Sequence, residues 1–235
     1  NNHLLCTIGM RGGSKGVPDK NLRPLLGKPL MAYTIEQALQ SGLFKHVVVS
    51  TDSQKIAEAA RSFGAEAWFI RPPEMATDSA SKLPAIRHAL LESEHYFGHK
   101  FDVLVDLDVT SPLRLIEDIT GAYERFVRED ADILITASPS RKNPYFNMVE
   151  NVNGLIQIVK QFDKQIERRQ DAPQVFDMNA SIYIWKRKAL LEYDTLFTDK
   201  TALFVMPEER SVDIDTELDW NIVEYIIGKS ADFND

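Results

Sequence analysis

Short apolar runs alternate with stretches of helical period along the first 140 residues of this chain. The run Leu4-Leu5-Cys6-Thr7-Ile8 has the length and β-favouring content of a buried strand, and from Pro29 onward Leu30, Tyr33, Thr34, Gln37 and Ala38 recur at helical spacing. The same reading predicts strands over 46–50, 67–70, 103–107 and 133–137, and helices over 53–63, 82–96 and 116–129. Strand and helix in strict alternation imply a three-layer α/β fold, a mostly parallel sheet flanked by helices.

The rhythm changes after residue 139. Between 139 and 174 the chain carries Asn-Pro, a charged segment and a hairpin-like pair around Asn153-Gly154, which marks an inserted arm or lid. Strands are expected again over 181–185 and 203–206, and a final helix over 216–227. The expected organisation is one domain, 1–235, with 139–174 as its insertion.

The segment Met10 to Asn21, MRGGSKGVPDKN, stands between the first strand and the first helix and concentrates chemistry. Its glycines let backbone N–H groups approach a ligand closely, and Arg11, Lys15 and Lys20 add three cations, a combination suited to phosphate. It has neither the Gly-Lys-Ser/Thr ending of an NTPase phosphate loop nor the G-x-G-x-x-G spacing. A solvated basic turn is the other reading.

Ligands of open α/β sheets bind beyond the carboxyl ends of the strands. The residues there are Arg11 to Lys15, then Ser50, Thr51 and Asp52, then Asp106, Asp108, Thr110 and Ser111. Asp213 and Asp215 alternate, so an extended segment turns both carboxylates to one face. Cations from one loop and carboxylates from another suit a Mg²⁺–triphosphate complex, because Mg²⁺ takes one or two carboxylates together with phosphate oxygens. Simpler roles stand beside these: Asp215 or Asp52 as a helix N-cap, Arg71 closing a strand before Pro72-Pro73, Ser79 and Ser81 opening a helix.

Composition narrows the partners. A net charge of −8, from 27 basic and 35 acidic side chains and without a basic, aromatic-studded block, argues against a nucleic-acid face. No apolar run approaches the ~20 residues that span a bilayer, so no membrane partner is expected. The sequence enters its first strand within four residues, with no signal-like segment before it, and its single cysteine, Cys6, sits in that strand. A cytoplasmic protein is the expectation. The five histidines show no ligand spacing and no nucleophile–base pairing stands out, so covalent catalysis is not suggested.

Six ordered blocks resemble the CMP-sialic acid synthetase (acylneuraminate cytidylyltransferase) family. They are Arg11-Gly12-Gly13-Ser14-Lys15-Gly16 with Lys20-Asn21, Ser50-Thr51-Asp52 with Arg71-Pro72, Thr77 to Ser81, Thr110 to Arg114, Asn179 to Tyr183, and Ser211 to Asp219. The resemblance runs nearly the whole length and implies a Rossmann-like nucleotidyltransferase fold and Mg²⁺-dependent transfer of CMP from CTP to the anomeric hydroxyl of a nine-carbon 2-keto sugar acid. By that likeness Arg11 and Lys20 hold the triphosphate and the departing pyrophosphate. Gly12, Gly13, Ser14, Lys15, Asn21, Arg71 and Ser81 surround the nucleotide. Asp213 and Asp215 hold the metal, with Asp215 catalytic alongside Arg11 and Lys20. Asp108, Thr110, Asn179 and Ser181 face the sugar. The resemblance also implies a homodimer formed through the 139–174 arm, with Arg168 and Arg169 reaching the partner's sugar site.

Two positions depart from that pattern, and both lie in the sugar half: Asp108 where glutamine is common, and Asp177 where a basic residue is common. N-acetylneuraminate is the first expectation for the acceptor, and a related nonulosonic acid such as legionaminic acid is the alternative. A sugar 1-phosphate pyrophosphorylase and a non-catalytic nucleotide-binding regulator are the rival readings.

Overall fold

A computed structural model describes residues 3–77, 81–161 and 169–232. Among the described residues there are ten strands: β1 Leu4–Met10, β2 Pro24–Leu25, β3 Lys28–Pro29, β4 His46–Thr51, β5 Val103–Leu107, β6 Ile133–Pro139, β7 Val149–Val152, β8 Leu155–Ile158, β9 Phe176–Lys186 and β10 Thr201–Val205. The α-helices are α1 Leu30–Gln40, α2 Gln54–Ser62, α3 Lys82–Phe97, α4 Ile116–Arg128, α5 Arg187–Glu192 and α6 Glu217–Asp232.

Six strands form the central sheet in the order β10-β6-β9-β5-β1-β4. Strand β1 runs parallel to both β4 and β5, and β10 parallel to β6, while β9 is antiparallel to its neighbours β5 and β6. The period of two divides each strand between two cores. Cys6 and Ile8 of β1, Val47 and Val49 of β4, and Val103, Val105 and Leu107 of β5 pack on the face covered by α1, α2, α4 and α6. Leu5, Val48 and Leu104 face the opposite core with Ile86 and Leu90 of α3 and Ala189 and Leu190 of α5. The expected three layers and mostly parallel sheet are therefore present. Among the described residues no helix is long and apolar enough to cross a membrane.

Two elements differ from expectation. Residues 67–70 form no strand, and pairing there is a single bridge between Val48 and Glu66. Trp68 and Phe69 instead join an aromatic group with Tyr96 and Phe97 of α3. The strand expected over 181–185 is longer, eleven residues, and antiparallel. The hairpin around Asn153-Gly154 is β7–β8, its two turn residues at φ 52° and 87°, the left-handed pair that joins tightly twisted strands.

The chain steps from β1 to β4 on one side and returns across β1 to β5, so the order reverses at β1. A crevice opens at such a switch point, beyond the carboxyl ends of the strands. Behind it Arg114 is fully buried and donates to Gln37 Oε1, Thr34 Oγ1, the Ser181 hydroxyl and the carbonyls of Ser181 and Asp108, at 2.7 to 3.1 Å. Burial lowers its pKa to about 10, and Asp108 is the first of the charges that oppose the shift. It ties α1, β9 and the turn after β5 into one support for the crevice.

Candidate active site

The loop after β1 is braced from within. The Ser14 hydroxyl donates to Val17 O at 2.5 Å and accepts from Lys20 N at 3.4 Å, and Asn21 Nδ2 donates to Arg11 O at 3.1 Å. Asp52, beyond the end of β4, accepts from Gly12 N at 2.7 Å. The N-cap of α2 is Ser53, whose hydroxyl accepts from Ile56 N at 3.2 Å, so Asp52 serves to pin the loop rather than to cap the helix.

The segment carrying Asp213 and Asp215 lies against this loop. Lys20 Nζ donates to Ile214 O at 3.1 Å across 194 residues, and a Cβ added at Gly16 would press into the Asp215 carbonyl far inside the 3.0 Å that real Cβ atoms respect. From the other side, Ile214 N donates to Thr110 O at 2.9 Å. Thr216 and Asp219 cap the start of α6 reciprocally, Asp219 N to Thr216 Oγ1 at 3.2 Å and Thr216 N to Asp219 Oδ2 at 2.9 Å. Asp215 is therefore not the cap. Its side chain lines the crevice, and among the described residues none pairs with its carboxylate.

These elements enclose a cavity of about 350 Å³. Arg11, Gly13, Ser14, Lys20 and Asn21 line it from the loop; Ser50 from the end of β4; Arg71 and Ser81 from the segment between α2 and α3; Asp106, Asp108 and Thr110 from β5 and its turn; and Ala180, Asp213 and Asp215 from the late segments. Arg71 is anchored by Nε to Ser50 Oγ and Nη2 to Ser50 O, both 3.1 Å. Ser81 does both things its position allowed, accepting from Leu83 N at 3.4 Å as the cap of α3 and facing the cavity.

Other expected site residues fall elsewhere. Gly12 has its N–H committed to Asp52 and lines an adjoining hollow of about 60 Å³, and Lys15 is not among the cavity-lining residues. Asn179 and Ser181 do not line the cavity. Both are buried behind the cavity wall, Asn179 between Thr136 Oγ1 and Ser211 Oγ and Ser181 against Arg114, because strand alternation in β9 turns Ala180 to the cavity and its neighbours away. Ser79, Arg168 and the Arg169 side chain lie outside the described residues.

A cytidylyltransferase family model matches residues 5–223. The chain belongs to the cytidylyltransferase family. It is 52% identical to a CMP-N,N'-diacetyllegionaminic acid synthase of Campylobacter jejuni, over 95% of this chain and 94% of that protein. Over the same shares it is 49% identical to a post-translational flagellin modification protein B of Campylobacter coli. A solved CMP:2-keto-3-deoxy-manno-octonic acid synthetase complexed with CTP shares the fold, with a TM-score of 0.70, 17% identity, and coverage of 97% of this chain and 99% of that one.

The charges of this cytidylyltransferase cavity are arranged unevenly. Burial pushes the Asp213 carboxyl up to about 6, although its oxygens accept from the Ser111 hydroxyl and from Ala180 N. Asp108 moves the other way. Burial alone would raise it, but Lys82 and the two hydrogen bonds from Thr110 bring it down to about 2. Lys82 is the cavity residue that sequence reasoning missed. A signal was available, since a lysine at the first position of a helix opposes the helix dipole, and a broken local rule often marks a working residue.

The Asp213 shift predicts a measurable sign. An unfolded aspartate titrates near ~3.9, below the native value of about 6, so the native state binds this proton more tightly and the buried charge weakens the fold increasingly as pH rises through that window. Asp213→Asn is expected to melt above the wild type when both are free of divalent cations at pH 7.5. That advantage should vanish by pH 4 in thermal unfolding, and an equal difference at both values would remove the buried charge as its cause.

Proposed function

We propose that this protein transfers CMP from CTP to the anomeric hydroxyl of a nonulosonic acid, releasing pyrophosphate, and that the acceptor is N,N'-diacetyllegionaminic acid. The observation that supports the reaction most directly is the junction of Lys20 and Gly16 with the Asp213–Asp215 segment at one cavity. Transfer joins the anomeric oxygen to the α-phosphorus while the bond to pyrophosphate breaks, and such chemistry depends mainly on positioning and on neutralising charge on the leaving group. Arg11 and Lys20 supply positive charge for the triphosphate, the braced loop presents backbone at Gly13 and Ser14, and Asn21, Arg71 and Ser81 complete the nucleotide side. Asp108 and Thr110 face the acceptor.

Asp213 and Asp215 are hard oxygen donors beside a phosphate-type loop, and among the described residues no group of three or more His, Cys, Asp or Glu is placed to hold a metal ion by itself. That donor set fits Mg²⁺, which completes its shell with phosphate oxygens and water, and fits Zn²⁺ poorly. When bound there, Mg²⁺ would offset triphosphate charge. The acceptor assignment is supported by the 52% identity with the legionaminic acid synthase and by Asp108 at a sugar-side position. It ranks ahead of N-acetylneuraminate on that ground.

The reading includes a cytoplasmic reaction, where CTP is supplied, and a homodimer built through the arm. Val149, Leu155 and Ile156 of the β7–β8 hairpin are 60 to 66% exposed, an apolar surface suited to a second copy. Light scattering should give twice the monomer mass. The deciding assay is pyrophosphate release from CTP and Mg²⁺ with a panel of 2-keto sugar acids. Legionaminic acid is expected to give the highest kcat/KM; release with N-acetylneuraminate alone overturns the acceptor, and release with no sugar acid overturns the reaction.

A further inference from the structure

An anionic acceptor has to dock in a cavity lined by four carboxylates, Asp106, Asp108, Asp213 and Asp215. Lys82, from the first turn of α3, reaches over this wall. Its Nζ lies 2.8 Å from Asp106 Oδ2, 3.1 Å from Asp108 Oδ2 and 5.0 Å from the centre of the Tyr183 ring. The placement follows from register. Asp106 is paired with Thr7 on one side, whose hydroxyl donates to Asp106 Oδ1 at 2.8 Å, and with Tyr183 on the other. Alternation along β5 puts Asp106 on the α3 face, together with Leu104.

Lys82 donates to Asp108 Oδ2, while Asp106 Oδ2 is a buried oxygen with no hydrogen-bond donor among the described residues and is held to the ammonium by charge alone, so N–H donors of Lys82 remain for a ligand. The Lys82 side chain is 41% exposed and lines the cavity. The other cavity cations are placed for other work. Arg11 and Lys20 belong to the nucleotide loop, and the Arg71 guanidinium is engaged by Ser50. Arg114, whose Nη2 donates to Asp108 O, combines with Lys82 to offset the charges of Asp106 and Asp108.

We propose that Lys82 is an acceptor-binding residue, giving an N–H to the carboxylate of the sugar acid while its hydrogen bond to Asp108 and its ion pair with Asp106 fix its direction. The inference rests on the reading of the protein as a transferase acting on a sugar acid. Lys82 cancels the repulsion that Asp108 would otherwise exert, so an aspartate is tolerated on the acceptor side only because this lysine stands over it.

Steady-state rates of pyrophosphate release test it, with the acid acceptor and its carboxamide analogue varied separately against the wild type, Lys82→Gln, Lys82→Arg and the double variant Lys82→Gln/Asp108→Asn. Lys82→Gln is expected to raise the acceptor KM about 10- to 100-fold, the scale of a hydrogen bond to a charged group, with the CTP KM within roughly twofold and the preference for acid over amide lost. Lys82→Arg should keep part of that preference. The double variant should bind acceptor better than Lys82→Gln, since repulsion is relieved, but less well than the wild type. It also retains the test if Lys82→Gln alone fails to fold. An unchanged acceptor KM, equal rises for both substrates, or an intact acid preference would overturn the role of Lys82. A wild type that releases no pyrophosphate with any sugar acid would instead sink the transferase reading on which it rests.

Discussion

Gly16→Ala is expected to reduce kcat/KM by about 10³-fold. The added methyl would meet the Asp215 carbonyl, a backbone atom with little freedom to retreat, so the loop and the Asp213–Asp215 segment must part. A displacement of about 1 Å at one catalytic group costs ~10²-fold, and here Lys20 and Asp215 move relative to each other. Overpacking adds about 1–3 kcal/mol of destabilisation. Chemical denaturation and steady-state kinetics on the same sample separate the two effects, and a variant with near-normal turnover would show that the contact has no bearing on the reaction.

Asp215→Ala should give the larger catalytic loss with the smaller structural one. Its carboxylate is exposed at the cavity and caps nothing, so the fold survives its removal. On the proposal that Asp215 would hold Mg²⁺ beside the triphosphate, its loss would remove several kcal/mol of charge stabilisation, more than ~10³ in rate. Melting temperature should stay within a few degrees of the wild type, and pyrophosphate release at saturating CTP should fall to near background. Release at more than a tenth of the wild-type rate would exclude the metal role.

The β1, β4 and β5 part of the sheet is legible in the sequence because each of these strands is a largely continuous apolar run, buried on both faces, and the helices that cover it carry apolar stripes. Residues 67–70 mislead for the same reason. Trp68 and Phe69 read as strand but find aromatic partners on α3, and the two prolines after Arg71 end any ladder there. Strand β9 is only half legible, since Asp177 and Asn179 interrupt its apolar pattern and the antiparallel direction has no local signature.

The site divides in a similar way. Residues on the glycine loop and at the ends of β4 and β5 are legible from the rule that ligands sit beyond strand ends. The burial of Asn179 and Ser181 behind Ala180 is not legible, because a motif identifies a block but not which of its alternating side chains faces inward. Lys82 escapes because its meaning lies in two aspartates more than twenty positions away, brought to it by the packing of α3 over β5.

The bond from Lys20 to Ile214 spans 194 residues, and it has a consequence for biosynthesis. A nascent chain leaving the ribosome can pair β1 with β4 well before β5 joins them, but the glycine loop meets the Asp213–Asp215 segment only after that segment has emerged. On the proposed reading, CTP would stabilise by mass action only those molecules in which the glycine loop and the Asp213–Asp215 segment have met, so that nucleotide binding would report their junction.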